Sequence, residues 1–193
     1  MIQILAKLRF IERYCNPHEG WKVFVDIDPS EEGRTGTKRE SEEAIARQQF
    51  TLGQAPKARR QIEEDLGAFV GRRKKQWRTQ FKDKLKLPPG DRDILAVHPG
   101  RRILWVTEVE GDSSGQPEGK IYKALGQLIC AISEMQLPDY TSHFSLVVSG
   151  EKMAAHLRKA LAVERLGVSG LIISENRKDD EWLFRESDLN NVV

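Results

Sequence analysis

Asp93-Ile94-Leu95-Ala96-Val97-His98-Pro99-Gly100-Arg101-Arg102-Ile103-Leu104-Trp105-Val106-Thr107-Glu108-Val109-Glu110 sets two apolar runs around a turn, with acids at the outer ends. Pro99-Gly100 is a turn dipeptide, and the flanking runs are rich in β-formers, so the segment predicts an antiparallel hairpin. Both strands are apolar on both faces, as central strands covered by helices are. A two-residue turn at Pro99-Gly100 sets His98 against Arg101 and Asp93 against Val106, diagonal to Glu108, and a four-residue turn is expected to keep that register. Alternation then sends Asp93, Glu108 and Glu110 to one face and Ile94, Trp105 and Val109 to the other. Three carboxylates converging in this way repel one another unless a divalent cation sits among them. An all-oxygen set with an open position favours Mg²⁺ or Mn²⁺ over zinc.

Upstream, Ile2, Leu5, Leu8 and Ile11 recur at helical spacing, opposite a charged side of Lys7, Arg9 and Arg13. Asn16, Pro17 and Gly20 end that helix, and Trp21 to Ile27 alternates as a strand. From Asp28 to Glu43 there is no apolar residue, which predicts a surface connection. Pro56 to Leu85 carries Ile62, Leu66, Phe69, Val70, Trp77 and Phe81 at helical spacing and reads as one long helix or a bent pair. Downstream, Gly111 to Gly119 is expected to be a loop, and Ile121, Leu125, Leu128, Ile129 and Ile132 mark a helix. Phe144–Val148, Glu151–Leu166 and Gly170–Ile173 form a strand-helix-strand unit with parallel strands, stopped at Gly167. Trp182 and Phe184 suggest an edge strand. The expected class is α/β: a mixed central sheet flanked by helices, in one domain spanning 1–193 with 28–90 as a loop and helical basic insertion.

The 193 residues are 39% hydrophobic and 31% charged, with a mean hydropathy of −0.53, a composition that excludes fibrous and wholly disordered chains. No apolar run approaches the roughly 18 residues of a membrane span, and Lys7, Arg9 and Glu12 interrupt the N-terminal run. The chain is expected to be neither inserted nor exported, hence cytoplasmic. Cys15 and Cys130 lack zinc spacing and are expected to be reduced, partly buried thiols. Charge is unevenly spread: the chain carries a net +2, but Lys57 to Lys86 holds eleven basic residues against four acidic ones. A basic arm beside an acidic centre suits a polyanion and divalent cations together, although a solvated helix carries the same pattern. His18, His98, His143 and His156 are scattered, against a histidine metal cluster or a Ser-His-Asp triad. Gly150-Glu151-Lys152 lacks the earlier glycine of a phosphate loop.

Taken in order, the first helix, the Gly20-Trp21-Lys22-Val23 strand, the Asp93 strand, the Glu108-Val109-Glu110 strand, the Gly119–Leu128 helix and the following strand resemble the core of the PD-(D/E)XK nucleases, which have the restriction-endonuclease-like fold. The resemblance covers roughly 1–27 and 91–150. It implies that Asp93 is the metal-binding Asp and Glu108 the first acid of the D/E-x-K element. Glu12 matches the additional helical acid of some members, with Glu63 and Glu64 as rivals if the 56–85 segment supplies the first core helix. Arg92 stands where the family's Pro does no chemistry. Glu110 stands where the family usually places Lys, and is a third metal ligand on this reading. Lys120, Lys123 and Gln127 share a helix face, so Lys120 is the residue to restore the missing charge.

The resemblance implies a Mg²⁺- or Mn²⁺-dependent nuclease, a phosphodiester hydrolase acting on nucleic acid, DNA before RNA and as an endonuclease, with Tyr122 and Gln127 in support. Arg59, Arg60, Arg72, Arg73, Lys74, Lys75 and Arg78 are then the phosphate contacts. A homodimer is compatible with it. The alternative is a catalytically inactive nuclease-like domain that binds nucleic acid or a protein partner.

Overall fold

β-branched and aromatic residues on both sides of Pro99-Gly100 form the expected hairpin, and the sheet extends from both of its edges. The computed structural model describes residues 3–25, 92–111, 116–135, 137–160 and 162–183. Within them β2 (Ile94–His98) pairs antiparallel with β3 (Ile103–Glu110), and β1 (Lys22–Val25) pairs antiparallel with the free side of β2. On the other side β4 (Thr141–Val148) and β5 (Val168–Ile172) continue parallel to β3, and β6 (Glu181–Leu183) ends the sheet antiparallel to β5. The product is a six-stranded mixed sheet in the order β1-β2-β3-β4-β5-β6.

Helices cover both faces. From α1 (Gln3–Tyr14), Phe10, Ile11 and Tyr14 pack with Ile94, Trp105 and Val109. The Phe10 ring meets Trp105 edge-on at 5.2 Å, a geometry worth roughly 1 kcal/mol beyond area burial. On the opposite face α2 (Pro117–Glu134) lays Ile121, Ala124 and Leu128 over Leu95, Val97, Leu104 and Val106, joined by Leu157 of α3 (Glu151–Lys159). The alternation read from the hairpin therefore assigns Ile94, Trp105 and Val109 to the correct side.

Three local expectations are corrected. The turn has four residues, 99–102, and pairs His98 with Ile103 and Ile94 with Thr107. Asp93 consequently stands directly across from Glu108, not opposite Val106. The slip is two residues, so the faces are unchanged. Helix α2 begins at Pro117 inside the expected loop, because proline's fixed φ and missing N–H suit a helix's first position. Finally, the expected 151–166 helix is divided into α3 and the short α4 (Ala162–Arg165), Ala160 leaving helical geometry at ψ +57. Gly167 follows at φ +67, as a helix stop requires.

Trp182 lies in the edge strand as expected, while Phe184 falls outside the described residues, as do the 28–43 connection and the 56–85 helix. Cys15 is buried; Cys130 is exposed on the outer side of α2, not partly buried. No described helix is long and apolar enough to cross a membrane.

Candidate functional site: a buried carboxylate cluster

The parallel strands β3, β4 and β5 all end at one edge of the sheet, and ligand sites of α/β sheets characteristically lie outside such carboxyl ends. Glu108 and Glu110 occupy the last turns of the β3 pleat there, and Asp93 enters β2 at the same edge. Asp93 precedes the first paired residue of β2, so its side chain is free to bend across the strands. Its Oδ2 accepts the backbone N–H of Val109 at 2.8 Å and the Gln3 amide at 3.4 Å. Its Oδ1 meets the Lys7 ammonium at 2.5 Å. Gln3 also donates to the Val109 carbonyl at 2.7 Å, which fixes the backbone between the two glutamates.

Glu108 is only 3% exposed and its Oε1 has no hydrogen-bond partner. Burial, reinforced by the negative charge of Asp93, pushes its pKa up to about 9, against the opposing pull of Arg92 and Lys7. Glu110 is half-buried at the strand end, and burial pushes it up to about 7 although Lys120 pulls the other way. The Lys120 ammonium stands 3.8 Å from Glu110 Oε2.

The sequence candidates divide accordingly. Asp93, Glu108, Glu110 and Lys120 are brought to one edge of the sheet. The expected convergence of all three acids on one ion is corrected: among the described residues no three His, Cys, Asp or Glu side chains form such a group. Asp93 is drawn toward α1 by Lys7 and toward β3 by Val109, whereas Glu110 turns to Lys120 on α2. What remains is the facing pair Asp93 and Glu108, with Glu110 beside them.

Glu12 is not among the residues brought together at that edge. It pairs with Arg9 at 2.9 Å, and five residues beyond Lys7 it is rotated about 140° around α1. Tyr122 is exposed and donates to Glu118 at 2.6 Å, away from the acids. Gln127 is half-buried two turns along α2, about 10 Å beyond Lys120 on the helix axis. Glu63, Glu64, Arg59, Arg60, Arg72, Arg73, Lys74, Lys75 and Arg78 lie outside the described residues.

Three contributors escaped the sequence reading: Gln3, Lys7 and Arg92. Periodicity places Lys7 on the charged side of α1, yet it is buried. The signal was present, since Lys7 lies three and four residues before the buried Phe10 and Ile11 and four after Gln3. A lysine on that arc needs a counter-charge, and Asp93 supplies it. No protein-family model, curated protein or solved structure matches the chain.

Proposed function

We propose that the chain is a metal-dependent nuclease of the PD-(D/E)XK type that hydrolyses phosphodiester bonds in nucleic acid, DNA before RNA. The observation that carries this reading is the unpartnered Oε1 of buried Glu108 across from Asp93. Ionising Glu108 is costly because its Oε1 finds no donor and because the Asp93 charge lies beside it. A divalent cation held between the two relieves both penalties.

The donor set fits Mg²⁺ or Mn²⁺. Two facing carboxylates are an all-oxygen donor pair, the chemistry that favours these ions over zinc. Asp93 and Glu108 would hold the ion. Bound there, it would supply Lewis acidity toward a phosphate oxygen and acidify the attacking water. Lys120, partly exposed at the mouth of the site, presents its cation to the phosphate and offsets Glu110. The Gln3 contacts keep the backbone of the Glu-Val-Glu segment fixed while substrate binds. The order helix, three antiparallel strands, helix, parallel strand supports the reading, being the order of that family's core.

Cleavage of labelled single-stranded, duplex and branched DNA and of RNA under Mg²⁺ and Mn²⁺ tests it. Asp93→Ala and Glu108→Ala are each expected to abolish cutting while the circular dichroism spectrum stays native; cutting retained in both removes the proposal. The second reading, a domain that binds nucleic acid without cutting, draws on the cations already facing Asp93 and Glu110. Salt-sensitive binding with no cleavage under either metal is its signature.

A further inference from the structure

Lys7 enters the acid pair from the opposite wall to Lys120, and its burial distinguishes the two. Its side chain is 6% exposed against 28% for Lys120, too enclosed to meet a substrate phosphate. It does meet Asp93 Oδ1, while Oδ2 accepts from the Val109 backbone and from Gln3. Two cations cannot share that oxygen at contact distance without strong repulsion in a poorly solvated site.

We propose that Lys7 is a tethered cation that competes with the divalent ion for Asp93, so that metal entry requires its ammonium to withdraw from Oδ1. The inference rests on the metal-dependent reading above and identifies the residue that regulates metal occupancy. The four-carbon stem of lysine lets the ammonium swing without moving α1. Asp93 is not released with it, because Val109 N–H and the Gln3 amide still hold the other oxygen. Glu108 Oε1, buried and unpartnered, is the second ligand waiting for the exchange. Lys7 is thus a positioning residue: without metal it neutralises Asp93 and keeps the pair assembled, and with metal it gives way.

Mn²⁺ binding to the full chain, followed by loss of the free-ion electron paramagnetic resonance signal, tests this with Lys7→Met, Lys7→Arg and Asp93→Ala. Lys7→Met is expected to bind Mn²⁺ at least tenfold more tightly than the unaltered chain, Lys7→Arg no more tightly, and Asp93→Ala to lose binding. Binding that is equal or weaker in Lys7→Met overturns the competition and leaves the metal site standing. Absence of binding in every form overturns both. Should Lys7→Met fail to fold, nitrogen-detected resonances of the unaltered chain's lysine ammoniums decide the matter. The Lys7 signal is expected to shift toward those of exposed lysines as Mg²⁺ saturates; a signal unmoved at saturation overturns the proposal.

Discussion

Glu108 illustrates how one carboxyl couples the site to stability. Its pKa rises from the ordinary 4.5 to about 9 because burial and Asp93 disfavour its charge. The folded chain therefore keeps a proton that the unfolded chain has released, and stability falls as pH climbs from about 4.5 toward 9. Glu110, raised to about 7, adds a fall of the same sign over the lower part of that range. Glu108→Gln is expected to flatten the decline, measured as urea midpoints from pH 5 to 9; identical slopes in both chains would show that Glu108 does not carry it. Positions such as these were only half legible in the sequence. Asp93 and Glu108 stood out because acids bounding apolar strands are unusual, but Lys7 did not. A lysine at a buried helical position looks like any surface lysine until its partner, 86 positions away, is brought to it. The turn length carried a similar ambiguity: Pro99-Gly100 announces a turn without fixing whether two or four residues leave the ladder.

Elements rather than single residues determine how the distal sheet edge is held. Strand β6 has only three residues, and short edge strands are weakly anchored by their ladder alone. The segment before it is tied to α1 through Asp180, which accepts from Arg13 at 2.8 Å, from the Tyr14 hydroxyl at 2.6 Å and from the Ser174 backbone at 2.8 Å. Arg13 also donates to the carbonyls of Ser174 and Glu175, and Tyr14 meets Trp182 edge-on at 5.3 Å. Asp180→Ala leaves the largely enclosed Arg13 side chain without its carboxylate and is expected to cost about 3 kcal/mol, read from urea unfolding. A loss below about 1 kcal/mol would mean the backbone carbonyls suffice to hold Arg13. The helices and strands themselves were legible from periodicity, which is why β4, α3 and β5 fall close to their expected places. The break at Ala160 was not, because residues 151–166 keep a helical pattern and nothing in their propensities marks the interruption.

For the molecule as a whole, the sheet's sequential order means that each strand pairs with its neighbour in sequence, and the β1 to β2 connection is topologically a hairpin. Val25 pairs with Ile94, so replacing residues 26–91 by a short turn joins adjacent strand ends and is expected to leave the sheet's circular dichroism signature in place. Under the proposed function the shortened chain, lacking the eleven basic residues of 57–86, binds nucleic acid more weakly and with a flatter dependence on salt. An unchanged salt slope would locate the phosphate contacts elsewhere. The α/β class and the mixed sheet were accessible from the hairpin outward, since strand pairing of this local kind follows chain order.

The same pairing has a kinetic meaning. Residues 26–91 leave the sheet at Val25 and return at Arg92, immediately before Asp93, so both roots of the segment are fixed at the edge that carries the acids. Under the proposed function, nucleic acid held by the basic residues of 57–86 would be joined by the chain itself, through both roots, to the end of the sheet where Glu108 lies, and a covalent link of that kind raises effective concentration. Under that reading capture and delivery would be one molecular event, and dilution of the nucleic acid would slow the first encounter without weakening the second.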